Sequence, residues 1–136
     1  MVAATIRDAL ADWSWLRNMN DLEIVGTTCL GDVILRDSLG DEFILVVGVG
    51  ELRPYDSYEQ SLVKNLGNLI ARMEESGLKL EAGKCYGLKP HAVFQKYEPD
   101  NMYVATMAEY VSYMGCFYGE VKDPPDGAKV KLVVKQ

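Results

Sequence analysis

Few residues in this chain could do covalent chemistry: one histidine and three cysteines. His91 follows Pro90 in Leu88-Lys89-Pro90-His91, a loop-like setting, and imidazole titrates near neutral pH. Paired with Cys85 it would supply a thiol nucleophile and its base. No third group stands at a recognisable spacing, and no G-x-S-x-G, H-E-x-x-H or phosphate-binding loop occurs. Gly48-Val49-Gly50 neither matches G-x-G-x-x-G nor opens a helix. Cys29, Cys85 and Cys116 are odd in number and contain no C-x-x-C, so free buried thiols in a reducing compartment are expected. One histidine with three scattered cysteines offers no zinc spacing. The expectation is a protein that is not an enzyme and that carries no metal or cofactor.

Binding chemistry is better represented. Eight tyrosines, two tryptophans and three phenylalanines exceed what a core of this size requires. Tyr55 and Tyr58 flank Asp56, Tyr97 and Tyr103 bracket Glu98-Pro99-Asp100, and Trp15 falls off the apolar stripe that holds Trp13. Aromatic anchors among carboxylates are the composition favoured at protein interfaces. Charge is unevenly spread as well, which fits either a solvated acidic face or one that meets a partner. The 136 residues carry a net −6, and residues 1–63 hold four arginines against eleven carboxylates. The other half is close to neutral. Asp12, Trp15, Tyr55, Asp56, Glu59, His91 and Tyr97 are therefore the candidate partner-binding residues. An isoelectric point near 4.8 argues against nucleic acid or anionic membrane as the partner.

These groups must be positioned by an ordinary globular chain. Its length fits one domain, 1–136, and its longest apolar run, Phe43 to Val47, is too short to span a membrane. Met1 leads into no charged-then-apolar leader. Ile6, Ala9, Leu10, Trp13 and Leu16 predict an amphipathic helix over 5–16. Residues 22–25 and 32–36 read as strands punctuated by Gly26 and Gly31. Residues 37–41 read as a turn with Gly40 at positive φ. Residues 42–49 form a β-branched apolar run that fits a central strand covered on both faces.

Asp56 or Ser57, with Glu59 or Gln60 three residues on, caps a long helix over 57–75. Its stripe is Tyr58, Leu62, Leu66, Leu69, Ile70 and Met73, and Gly77 ends it. Thr106-x-x-Glu109 opens another helix, with Met107, Tyr110, Val111, Met114 and Phe117 inward and Gly119 at its end. Residues 124–127 make a rigid turn into a last strand over 129–134. The fold expected is a single α+β domain, a mainly antiparallel sheet with two or three helices packed on it.

The order of motifs resembles a known family. Trp13-Ser14-Trp15-Leu16, Thr28-Cys29-Leu30-Gly31-Asp32-Val33 with Asp37-Ser38-Leu39-Gly40, Leu80-Glu81-Ala82-Gly83-Lys84-Cys85-Tyr86-Gly87, and Asp123-Pro124-Pro125-Asp126-Gly127-Ala128-Lys129-Val130 are similar to the C-terminal domain of type VI secretion immunity proteins, which often accompanies a GAD-like module. The match runs from about 13 to 132. It departs at Pro90 to Tyr97, where the family continues in a proline-rich run ending in Gly-Gly, so specificity the family places there does not carry over. The resemblance implies a non-enzymatic cytoplasmic bacterial protein that occludes the active site of a cognate toxin, in some systems a DNase. The alternative is a small-molecule-binding or regulatory domain with a pocket near Cys85, Tyr86 and His91.

Overall fold

The computed structural model describes residues 5–89 and 98–122. The architecture is α+β, with a four-stranded antiparallel sheet in the order β1-β2-β3-β4 and a two-stranded antiparallel sheet of β5 and β6. In chain order, α1 is Ile6–Leu10, β1 Glu23–Thr27, β2 Val33–Arg36, β3 Glu42–Val46 and β4 Glu51–Pro54. Then come α2 Ser57–Lys64, α3 Gly67–Glu75, β5 Lys84–Leu88, β6 Met102–Thr106 and α4 Met107–Lys122. The predicted turn and strand over 124–134 lie outside the described residues.

The expected N-terminal helix starts where predicted, with the Thr5 hydroxyl accepting from the Asp8 amide at 3.1 Å. It stays α-helical only to Leu10 and then tightens into a 3-10 turn, Ala11–Trp13. The cause is the pair of tryptophans. The Trp13 indole N–H donates to the Val111 carbonyl at 2.8 Å, and that of Trp15 donates to the Gly115 carbonyl at 3.0 Å. The two rings stack with centroids 5.7 Å apart. Both therefore lie along α4, over Gly115 and Gly119 one helical turn apart. A Cβ on Gly115 would stand 2.7 Å from the Trp13 ring nitrogen, and one on Gly119 would stand 3.0 Å from Trp15. Gly119, expected to end the helix, instead sits inside it, and α4 runs on to Lys122. A glycine that terminates helices by its freedom serves here by its lack of a side chain.

This clasp sits in the main core. Trp13, Leu10, Val33, Leu35, Leu45, Val47, Tyr110, Val111, Met114 and Tyr118 are all buried there. Alternation along β2 and β3 puts Val33, Leu35 and Leu45 on that face and Ile34 and Ile44 on the other. β3 is thus covered on both faces at Ile44 and Leu45, as its apolar run predicts. The run ends as strand at Val46, however, because Gly50 takes φ +71° and turns the chain into β4.

The long helix expected over 57–75 is two helices. Asp56 caps α2 by accepting from the Glu59 amide at 3.0 Å, and Gly77 follows α3 at φ +91°. Between them the Asn65 side-chain amide donates to the Ser61 carbonyl at 3.0 Å, and the Leu66 amide turns back to Val63. Gly67 then restarts the helix. The break splits the apolar stripe. Leu69 and Met73 are buried against β5 and β6 with Tyr86, Leu88 and Met102, while Tyr58 is 67% and Leu62 46% exposed.

Gly115→Ala should lower stability by about 1–3 kcal/mol through overpacking against the indole, although alanine is the better helix former. Gly67→Ala, where nothing lies within 4 Å of the added carbon, should be neutral or gain up to ~1 kcal/mol. Urea unfolding of both variants checks this; equal midpoints would contradict the clasp.

Candidate functional site

The register of the four-stranded sheet gathers charge at one end. β1 begins at Glu23, β2 ends at Arg36, β3 begins at Glu42 and β4 ends at Pro54. Glu23 lies opposite Arg36, and Arg36 opposite Glu42. The Tyr55 amide donates to the Glu42 carbonyl at 2.9 Å, which brings Asp56 to the same end. The β2–β3 turn adds Asp37 and Asp41, and Asp21 precedes β1. Six carboxylates thus ring this end: Asp21, Glu23, Asp37, Asp41, Glu42 and Asp56. The cations among them are engaged. Arg36 pairs with Glu42 at 2.8 Å and Glu23 at 3.7 Å, Arg17 lies over the Phe43 ring, and Arg7 donates to the Met19 and Leu22 carbonyls. The end stays net negative even with all three counted.

Apolar side chains stand out from this acidic rim. The Asp37 carboxylate accepts from the Leu39 and Asp41 amides at 3.0 and 2.9 Å, forming a tight turn with Gly40 at φ +89°. Leu39 at its tip is 85% exposed. Tyr55 is half-buried beside Asp56, and Tyr58 and Leu62 lie one turn apart on α2. Leu39 thus stands exposed at the hairpin tip between Asp37 and Asp41, and Tyr58 is exposed two residues beyond Asp56.

Other expected site residues are placed elsewhere. Asp12 accepts a hydrogen bond from the Ser112 hydroxyl on α4. Trp15 is engaged in the clasp and is only partly exposed. Glu59 is buried beneath α2, 3.8 Å from the Arg53 guanidinium, so charge reversal there would attack the fold before any partner. His91 and Tyr97 lie outside the described residues. Of the seven, Tyr55 and Asp56 are the two that the structure brings to the acidic end. Leu39 and the turn aspartates escaped notice because their significance depends on which strand ends meet.

A second polar cluster lies within the fold. The Asp32 carboxylate accepts from the Val47 amide at 3.1 Å and from the Thr28 hydroxyl at 3.2 Å. The same hydroxyl accepts from the Leu30 and Asp32 amides. One buried carboxylate therefore ties the β1–β2 turn to the end of β3. Burial pushes Asp32 up to about 6, against the pull of those two hydrogen bonds, with Glu59 raising it further and Arg53 opposing.

Cys85 is pushed up to about 12, first by burial and then by Asp32 and Cys29, so it is held as a thiol, the reverse of what activates a nucleophile. The three cysteines are free, but only Cys85 is fully buried. Cys29 is half-buried and Cys116 is exposed, contrary to the expectation of three buried thiols. Among the described residues no group of three or more His, Cys, Asp or Glu is placed to hold a metal ion. Nor is any helix long and apolar enough to cross a membrane.

Fold and surface together define a small α+β domain with an acidic sheet end from which a leucine and a tyrosine project. Compared with protein-family models, with curated proteins and with solved structures, the chain matches none.

Asp32 links stability to pH. Its folded value, about 6, lies above the ordinary 3.8, so the native state holds this proton more tightly than the unfolded chain does. The stability this supplies is fully present below pH 3.8 and is lost as pH rises through about 6, a change of about 3 kcal/mol. Urea unfolding from pH 4 to 7 should show that decline in the parent and a shallower one in Asp32→Asn; identical slopes would contradict it.

Proposed function

We propose that this chain is an immunity-type protein that neutralises a toxin by binding it stoichiometrically, with the acidic end of the four-stranded sheet as the docking surface. The observation that carries this reading is the ring of six carboxylates around a rigid turn whose tip leucine is 85% exposed. The motif order described above, similar to immunity domains of type VI secretion, supports the same class. The partner that fits is a basic protein with an active site built to grip phosphates, a nuclease among them. Such a site is rich in Lys and Arg, and a carboxylate cluster can occupy it in place of the nucleic-acid backbone. Leu39 and Tyr58 supply the desolvated contacts that set residence time, and the carboxylates supply steering.

The test uses a toxin-like protein encoded by a neighbouring reading frame. Asp21→Lys with Asp41→Lys leaves the turn hydrogen bonds intact and should slow association about tenfold or more at low salt, with a flatter salt dependence. Leu39→Ser should speed dissociation with little change in association rate. Unchanged binding in both variants, with unchanged melting temperatures, would remove this surface from the account.

A further inference from the structure

At the other end of β1 the surface has a different character. A cleft of about 590 Å³ opens between the start of α1, the end of β1 and the corner where β5, β6 and α4 meet. Its volume falls within the range of about 300–1,000 Å³ common to small-molecule sites. In a chain with a net charge of −6, no aspartate or glutamate lines it among the described residues. Among the described residues of its wall Lys84 is the one that is charged, beside Thr5, Thr27, Thr106 and the half-buried Cys29.

The polar groups of this wall have donors to spare. The Lys84 ammonium donates to the Thr106 hydroxyl at 3.1 Å and keeps further protons. Thr106 accepts there, and Thr5 accepts from the Asp8 amide, so each hydroxyl retains its own proton to give. Met107 and Ala108, the first residues of α4, complete this side. The Met107 amide is taken by the Gly83 carbonyl at 2.9 Å, which holds the β5 entry and Lys84 against the helix start. Apolar contact is available from Ile6 and the Met107 side chain. Among the described residues the wall therefore offers one cation and several hydroxyl donors in a recess, and the Asp32 carboxylate lies buried behind Thr28, outside the wall.

We propose that this cleft binds a small molecule through an oxyanion, a phosphate or carboxylate group held by Lys84 and the Thr5 and Thr106 hydroxyls. Charge-assisted hydrogen bonds from an ammonium and hydroxyls are the strong kind, and the recess limits competition from water. The site is independent of the acidic docking surface, which lies at the opposite end of the sheet.

Titration of the ¹⁵N-labelled chain with inorganic phosphate and, separately, with succinate tests this. Saturable shifts at the Lys84, Thr106 and Ala108 amides are expected with at least one of the two, and which one saturates tells a phosphate site from a carboxylate site. Lys84→Glu should weaken that binding about tenfold or more, and Lys84→Arg should largely retain it. Lys84 is exposed, so the anion-free melting temperatures of both variants should match the parent. Shifts that are linear and spread over the chain with both anions, or saturation unchanged in Lys84→Glu, would overturn the proposal.

Discussion

The fold depends on two indole N–H groups reaching across the molecule. Trp13 bonds a carbonyl 98 residues away and Trp15 one 100 residues away, both on α4. Each bond is possible because a glycine lets the ring lie against the helix backbone, and Gly115 and Gly119 recur at the spacing that puts them on one face. The clasp joins the start of the chain to its last described helix and closes the core over β2 and β3. It also explains why α1 is short: a regular helix through Trp15 would carry the second ring away from α4.

Charge is divided between inside and outside with the same economy. Of the eleven carboxylates in residues 1–63, Asp32 and Glu59 are buried, and both hold neighbouring elements together. A buried carboxylate is tolerated because amide and hydroxyl donors meet it, yet burial still favours its protonated form. Six of the other nine are gathered at one end, since the antiparallel register brings the start of β1, the β2–β3 turn and the end of β4 together. Six carboxylates with three engaged arginines make a surface that repels its own kind and attracts a basic one.

Much of the fold was legible from pattern alone. The start of the first helix near Thr5, the cap at Asp56 or Ser57, the strands at 22–25 and 32–36, the turn at 37–41 and the α+β class all follow from local chemistry that tertiary context does not override. What was not legible depended on partners distant in sequence. β4, β5 and β6 are short strands with Pro54, Gly87 or no clear alternation, and only pairing makes them strands. The split at Asn65 arises from one side chain competing for a backbone carbonyl within an otherwise continuous stripe. Gly119 was misread because a helix-ending glycine and a ring-seating glycine look alike in one dimension. The candidate surface was legible in kind, as acid and aromatic in the first half, but not in place. Tyr55 and Asp56 lie in it, whereas Trp15 and Glu59 serve the fold and Asp12 is tied to α4.

The central claim is that the acidic sheet end is where a basic protein docks. Hydrogen–deuterium exchange of the unmodified chain, alone and bound to a toxin-like protein encoded beside it, tests that most directly. The account predicts new protection concentrated in residues 36–42 and 54–62, with α4 unchanged. Protection confined to α4 or to the β5–β6 sheet, with the 36–42 turn exchanging as in the free chain, would contradict it.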